Sequence, residues 1–210
     1  MAESFEHPVY SINVIEFVTV AREFCNWLEH SEEQPRPEFI STALKILPLL
    51  YLKANMLPET STVLDEYLEK YVTEEEYEHV RQSVRDRMGR FDDYLEVFTA
   101  DMQRSDLPLT STVSENLADI YQDLMDFMMN YRSAVTEIMN DALTALMQDF
   151  REHWGQRLVN VLRALHMVYY GEDNLEDEEG EVGADPSIDD INTQDWIISR
   201  MQRDFRDDSL

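Results

Sequence analysis

The sequence predicts an all-α protein, a multi-helix bundle built on one long helix in the C-terminal half of the chain. The stretch from Arg132 to Tyr170 contains no proline and a single glycine, Gly155. The helix before it is joined by a short turn, so the two should pack antiparallel. Apolar residues of the long helix recur at helical spacing and form one face: Val135, Ile138, Met139, Ala142, Leu143, Leu146, Met147, Phe150, Trp154, Leu158, Val161, Leu162 and Leu165.

The length of this helix is itself informative. As one straight helix, residues 132–170 would span roughly 57 Å, well beyond the ~30 Å diameter of a small domain. The helix should therefore bend or extend beyond the bundle. Gly155 is the expected place for a bend or, as we favour, for the close approach of another helix, because glycine has no side chain.

Two core helices are predicted in the N-terminal part of the chain. Apolar residues at helical spacing run from Ser11 to Glu29, and the turn residues SEEQPRP end this first helix. Pro37 suits the first turn of a second helix, which is apolar on nearly all sides up to Leu57. Pro48 lies inside it and predicts a kink near residues 44–47.

Residues 60–89 are more polar and predict two helices on the outside of the bundle. Thr60 to Thr62 can cap a short helix, VLDEYLEKYV. Thr73 and Glu76 form a capping box for the next helix, which Gly89 can end. The segment from Asp92 to Met102 has no clear periodicity and fits a short helix or an extended segment.

The helix that precedes the long one begins at Thr112 or Ser114. Gly171 is well placed to end the long helix and to close a bundle domain over residues 1–171. Apolar residues at helical spacing give the preceding helix a single buried face: Leu117, Ile120, Tyr121, Leu124, Phe127 and Met128.

The C-terminal part of the chain predicts a tail in two pieces. Residues 172–192 have few hydrophobic residues and dense negative charge, which predicts a mobile acidic linker. Thr193 can cap a last helix, residues 193–210. We expect this helix to dock on the bundle, and the alternative is that it binds another molecule. Its apolar stripe is the candidate interaction element: Trp196, Ile197, Met201 and Phe205.

Charge limits the classes of partner. Seventeen Lys and Arg residues against 44 Asp and Glu residues give a formal net charge of -27. This charge repels phosphate backbones and anionic membranes, so we expect neither nucleic acid nor a membrane as partner. An acidic mimic of nucleic acid is one interpretation, and a solubilising surface is the one we favour. A protein partner, including a basic one, remains open.

The expected location is the cytoplasm. No run approaches the ~20 apolar residues that a membrane span needs, and the start MAESFEHPVY lacks the pattern of a signal peptide. The single cysteine, Cys25, can form no internal disulfide, as expected in a reducing compartment. It is best explained as a small buried hydrophobe. The sequence does not predict an oligomeric state.

No cofactor or metal is predicted. The chain has no phosphate-binding glycine loop, no dinucleotide fingerprint and no paired cysteines. Glu76 and His79 have the spacing used in di-iron bundles, but such sites need the motif twice, and a solvated helix face explains them better. The acidic residues at 74–78 suggest a magnesium cluster, and a run of acids at a helix start is the simpler explanation.

One candidate site lies along the long helix. From His153 onward, polar residues replace apolar ones in one direction, while the apolar stripe rotates toward Trp154 and Leu158. The preceding helix offers acidic residues at one-turn spacing. If the turn between the helices brings these strips level, they form a polar cluster in which Asp119 stabilises protonated His153. The candidate members are Asp119, Asp123, His153 and Arg157, and the alternative is two separate solvated faces.

Several motifs near the long helix resemble those of a known family. In order, they are Asp93-Tyr94 with Phe98, the run LADIYQDL at 117–124, His153-Trp154-Gly155, and the run LRALH at 162–166. The combination resembles a bacterial helical family known as domain of unknown function 5063, over roughly Val14 to Gly171. The resemblance implies a helical bundle and implies no activity, because the family has none assigned.

The sequence thus favours a non-enzymatic helical protein that binds another protein. The missing cofactor motifs and the tail with its apolar helix support this hypothesis. The alternative is a hydrolase or a metal-binding enzyme that uses acids and histidines on the paired helices.

Overall fold

The computed structural model describes residues 7–64, 67–95 and 110–176. Within these ranges the α-helices are α1 Ile12–Glu29, α2 Arg36–Asn55, α3 Glu74–Met88, α4 Val113–Tyr131, α5 Thr136–Asp149 and α6 Gly155–Tyr169. A π-helical turn, Phe150–Trp154, joins α5 to α6. The strands β1 Asp93–Leu95 and β2 Thr110–Thr112 form an antiparallel ribbon in which Asp93 pairs with Thr112 and Leu95 with Thr110. The predicted all-α bundle is confirmed.

Helix α4 is the centre of the bundle and packs against α1, α3, α5 and α6, while α2 packs against α1 and α6. The turn between α4 and α5 contains Ala134 in a left-handed conformation, with φ of 58°. The two helices form the antiparallel pair that the sequence predicts. The largest fully buried side chains include Trp154, Phe17, Phe24 and Phe39, so the core extends from α1 and α2 to the start of α6.

Local capping chemistry fixes several helix boundaries. The Thr73 hydroxyl accepts a hydrogen bond from the Glu76 amide at 3.2 Å, and the Glu76 carboxylate accepts one from the Thr73 amide at 2.9 Å. This is the predicted capping box, and α3 ends before Gly89, whose φ is 55°. Thr112 caps α4 by accepting from the Glu115 amide at 3.2 Å. Helix α2 continues through Pro48.

The short helix predicted over VLDEYLEKYV is wrong. Residues 58–64 and 67–73, which we call the strap, lack helical structure and cross the α4–α5 pair. The Asp141 carboxylate accepts from the Val63 and Leu64 amides, both at 2.8 Å. The Asp126 carboxylate accepts from the Tyr71 and Val72 amides, at 2.7 and 3.1 Å. These bonds satisfy in tertiary contacts the amides that a helix would pair internally.

The long helix also differs from the prediction. It begins at Thr136 rather than Arg132, and the π turn widens it near its middle. The Gly155 amide donates to the Phe150 carbonyl, five residues back. A Cβ at Gly155 would lie 2.4 Å from that carbonyl oxygen and 2.9 Å from the Phe150 ring. The nearest neighbour of Gly155 is therefore Phe150, in the preceding turn of its own helix, and the expected approach of another helix stays a prediction.

The described chain ends shortly after α6. Gly171 follows the end of this helix, as predicted, and the Leu175 carbonyl accepts a hydrogen bond from Arg36 Nη1 at 3.2 Å. Beyond residue 176, the predicted acidic linker and the helix at 193–210 lie outside the described residues. None of the helices in the described ranges is both long and apolar enough to cross a membrane.

Candidate functional site

Three helices meet at Asp119 on α4. The Tyr77 hydroxyl of α3 donates to Asp119 Oδ1 at 2.8 Å. Arg157 Nη1 of α6 donates to Asp119 Oδ2 in an ion pair. The side chains of Asp119 and Arg157 are 22% and 42% exposed. Burial and the hydrogen bond to Asp119 raise the pKa of Tyr77, so its hydroxyl stays a donor. The structure thus brings together two of the four candidate residues, Asp119 and Arg157.

His153 does not join this group. It is exposed within the π turn, and no hydrogen bond or ion pair between His153 and Asp119 is found among the described residues. Trp154 takes the buried position instead, and its indole Nε1 donates to the Leu146 carbonyl at 3.3 Å, eight residues back. In an uninterrupted helix, His153, seven positions after Leu146, would point in nearly the same direction as Leu146. The extra residue of the π turn therefore moves His153 out of the predicted strip.

Asp123 lies one turn further along α4, at the edge of a cleft of about 270 Å³. The cleft is bounded by the strap on one side and by α4 and α5 on the other, with Lys70, Asp126 and Asp149 among its lining residues. Burial, and next the negative charge of Asp149, raise the pKa of Asp123 to about 6. Lys70 ion-pairs with the buried Asp126 at 3.1 Å.

The sequence does not predict Asp149, Lys70 and Asp126 as neighbours of Asp123. Asp149 ends α5 beside the π turn, and its position opposite Asp123 follows only from the antiparallel pairing. Lys70 was placed in a helix that does not form. Asp126 had one usable signal, since it is an acidic residue next to Phe127 on the predicted buried face of α4. A buried acid of this kind needs hydrogen-bond donors, which the strap supplies.

This arrangement can hold a proton or a positively charged group. A half-buried carboxyl with a pKa near neutrality can exchange a proton at physiological pH, and such groups are enriched at functional sites. Within residues 7–64, 67–95 and 110–176, no three His, Cys, Asp or Glu side chains are placed so that they could hold a metal ion. The other three carboxylates near Asp123 have neighbours of their own. Asp119 pairs with Arg157, Asp126 contacts Lys70 and a backbone amide, and Asp149 lies near Asp123 itself.

We expect the ion pair between Asp119 and Arg157 to stabilise the fold modestly. A double-mutant cycle with Asp119→Asn and Arg157→Met should give a coupling energy of about 1 kcal/mol, because the pair is partly exposed. The free energy of unfolding of the four proteins in urea measures it. The more exposed pair Arg151 and Glu59, at 2.9 Å, is the control and should give a coupling near zero. Equal coupling in the two pairs would show that Asp119 does not hold α6 to α4.

Comparison with known proteins gives a family and no activity. No functionally curated protein matches this chain. The chain is similar to protein BF1032 from Bacteroides fragilis, whose crystal structure was solved in a structural genomics programme. The two are 45% identical with a TM-score of 0.71, and the match covers 80% of this chain and 98% of that one. A family model described as Domain of unknown function (DUF5063) matches residues 8–171, so the chain belongs to that family, as its motifs predict.

Proposed function

We propose that this protein acts in the cytoplasm by binding another protein and carries out no catalysis itself. The observation that carries the proposal is a set of exposed apolar side chains on two neighbouring helices. Single exposed apolar side chains are ordinary, but a set on adjacent helices is typical of a docking surface. Its members are between 42% and 70% exposed and define the α1–α2 face: Ile12, Ile15, Leu49, Leu52 and Met56.

The geometry of α1 and α2 supports one continuous surface. The rings of Trp27 and Phe39 stack at 4.5 Å near one end of the pair, and Lys53 binds Glu16 at 2.6 Å near the other, so the helices are antiparallel. Ile12 lies one turn before Glu16, and Leu49 lies one turn before Lys53, so each is on the same side of its helix as the ion pair. The two apolar rows therefore flank a single ion pair, which a partner would cover along with them.

Charge indicates the chemistry of the partner. With a net charge of -27, the chain should associate fastest with a basic protein surface and should repel nucleic acid and anionic membranes. Burial, together with the negative charge of Glu29, raises the pKa of the Cys25 thiol well above its usual range. A protonated, buried thiol is a poor nucleophile and persists in a reducing compartment, which supports the non-enzymatic and cytoplasmic parts of the proposal.

The C-terminal tail supplies a second proposed element. The stripe of Trp196, Ile197, Met201 and Phe205 lies outside the described residues, and we retain the proposal that it packs on its own bundle or on a partner. The variant Trp196→Ala with Phe205→Ala separates this contribution from that of the α1–α2 face in the experiment below.

A pull-down from native lysate with the tagged full chain tests the proposal. We expect a reproducible protein partner, and we expect Leu52→Asp with Met56→Asp to weaken its binding by about tenfold or more, since charge at a buried contact is costly. Val135→Asp is the matched control, because Val135 is 45% exposed at the start of α5 and aspartate is favourable at that position. Repeated recovery of no partner, or equal recovery by both variants, would contradict the proposal.

A hydrolase or metal-binding enzyme is the alternative function. The raised pKa of Asp123 in the cleft beside Asp149 favours it, because a carboxyl that titrates near neutrality suits general acid–base catalysis. Elemental analysis of protein purified without a metal-affinity tag distinguishes the two functions. Stoichiometric zinc, iron or manganese would favour the enzyme and count against the proposal above.

A further inference from the structure

The strap is held by two clamps that bond its backbone in the same pattern, although the two carboxylates differ: Asp141 uses both oxygens and Asp126 uses Oδ1 for both amides. On α5, Asn140 donates to the Ser61 carbonyl at 2.7 Å, and Asp141 accepts from the amides two and three residues further on, Val63 and Leu64. On α4, Asn130 donates to the Glu69 carbonyl at 2.9 Å, and Asp126 accepts from the amides two and three residues further on. The second clamp thus repeats the first at a spacing of eight residues along the strap.

Apart from the ion pair between Lys70 and Asp126, these clamps bond the backbone of the strap and not its side chains. All four clamp residues are only 4–5% exposed, so their hydrogen-bonding groups depend on the strap. The strap itself exposes Val63 by 60% and Tyr67 completely. Another extended polypeptide could make the same backbone hydrogen bonds to the clamps, because every residue except proline offers the same amide and carbonyl.

The strap also borders two open clefts. One cleft of about 300 Å³ lies beside Glu59 and Thr60, and the cleft of about 270 Å³ lies beside residues 67–70. Both are bounded on the other side by α5. A competing segment could therefore reach the clamps through these clefts, while Leu68 and Val72 pack the strap against the core.

We propose that the strap is an exchangeable internal ligand, and that the α4–α5 surface beneath it binds an extended segment of a partner protein. This inference rests on the proposed function and adds to the α1–α2 face, which ends at Met56, two residues before the strap begins. In the strap, Lys70 sits between the clamped Glu69 carbonyl and Tyr71 amide and pairs with Asp126. The partner segment therefore carries a lysine or arginine at this position, where Asp123 and Asp149 also line the cleft.

A labelled peptide with the strap sequence, residues 58–73, is the probe. In the full chain, Val63→Pro with Tyr71→Pro removes one amide from each clamp of the internal strap and leaves Asp126 and Asp141 intact. Fluorescence anisotropy should show the peptide binding this variant at least about tenfold more tightly than wild type, because each lost amide bonds to a carboxylate. A peptide with the same two prolines should not bind, and one with Lys70→Ala should bind more weakly.

A disulfide that can be formed and reduced provides the matched control. The Thr60 and Thr144 hydroxyl oxygens are 2.7 Å apart, so Thr60→Cys with Thr144→Cys should form a disulfide that fastens the strap. Peptide binding to this protein should fall when it is oxidised and recover on reduction. If the folded proline variant binds the peptide no more tightly than wild type, or if the proline peptide binds equally well, the clamps only anchor a loop.

Amide hydrogen exchange of the wild-type chain tests the inference without the proline variant, and therefore also if that variant does not fold. The amides of Val63, Leu64, Tyr71 and Val72 should exchange through a local opening, faster than the core amides of α4. Exchange of both sets at the same rate, through global unfolding, would overturn the inference. If the strap results fail while α1–α2 variants still lose the partner, the proposed function stands and only the strap site is excluded.

Discussion

Replacement of Gly155 by alanine should destabilise the protein by about 3 kcal/mol, at the upper end of the range for overpacking substitutions. The added Cβ would lie 2.4 Å from the Phe150 carbonyl oxygen and 2.9 Å from two carbons of the Phe150 ring. The ring could move, but the carbonyl belongs to the backbone of the π turn and accepts the Gly155 amide. Urea denaturation followed by circular dichroism measures the change in the free energy of unfolding.

The helix could relieve this clash only at a further cost. Removing the π turn would rotate every later residue by one helical position, about 100°. Trp154, which is fully buried, would leave the core, and Arg157 would turn away from Asp119. Loss of the coupling between Asp119 and Arg157 in the Gly155→Ala background would identify this route.

The neighbouring substitution Gln156→Ala is the control. Gln156 is exposed on α6, so its replacement should change stability by no more than about 0.5 kcal/mol. A Gly155→Ala protein as stable as this control would show that the π turn does not constrain the helix as argued.

Elements set by local chemistry could be predicted from the sequence. The boundaries of α1 and α3 follow from turn residues and a capping box, which act within a few residues of the chain. The strap could not be predicted in this way. Its sequence VLDEYLEKYV is compatible with a helix, and the choice is made by Asp126 and Asp141, more than 50 residues away. Tertiary hydrogen bonds override local propensity there.

The candidate site was predictable to the extent that it depends on α4 and α6. Asp119 and Arg157 are recovered because both face outward beside the core stripe. The structure does not bring His153 to them, because the π turn at Phe150–Trp154 interrupts the helical repeat on which that prediction rests. In the sequence, the apolar face of the long helix rotates between Leu146 and Trp154, which are eight residues apart. The π turn is the physical cause of this rotation. The contacts of Asp123 with the strap required the tertiary structure.

Replacement of Asp123 by asparagine should stabilise the protein near pH 7.5 by up to about 3 kcal/mol, the free energy of a pKa difference of about two units. Burial raises the pKa of Asp123 to about 6, and the nearby charge of Asp149 adds to this effect. Ionisation of this carboxyl therefore costs more free energy in the folded state than in the unfolded state. Asparagine has nearly the same shape and never takes a charge, so it removes that cost.

The pH dependence provides the sharper measurement, because the sign is opposite to that of an ordinary paired aspartate. The pKa of Asp123 is about 6 in the folded state and ~3.9 in the unfolded state. Between these two pH values the folded state therefore binds a proton that the unfolded state has lost. Stability from this group is fully present below about pH 4 and is lost as the pH rises through about 6. The wild type and Asp123→Asn should therefore be equally stable near pH 4 and diverge above it.

Asp119→Asn is the matched control for Asp123→Asn, since both replace a carboxylate on the same helix one turn apart. Asp119 is paired with Arg157 and accepts from Tyr77, so its replacement should destabilise the protein near neutral pH. Urea unfolding of the three proteins between about pH 4 and 8 gives the comparison. If Asp123→Asn destabilises near pH 7.5, or leaves the pH dependence unchanged, then Asp123 is ionised without cost and is not a candidate for proton exchange near neutrality.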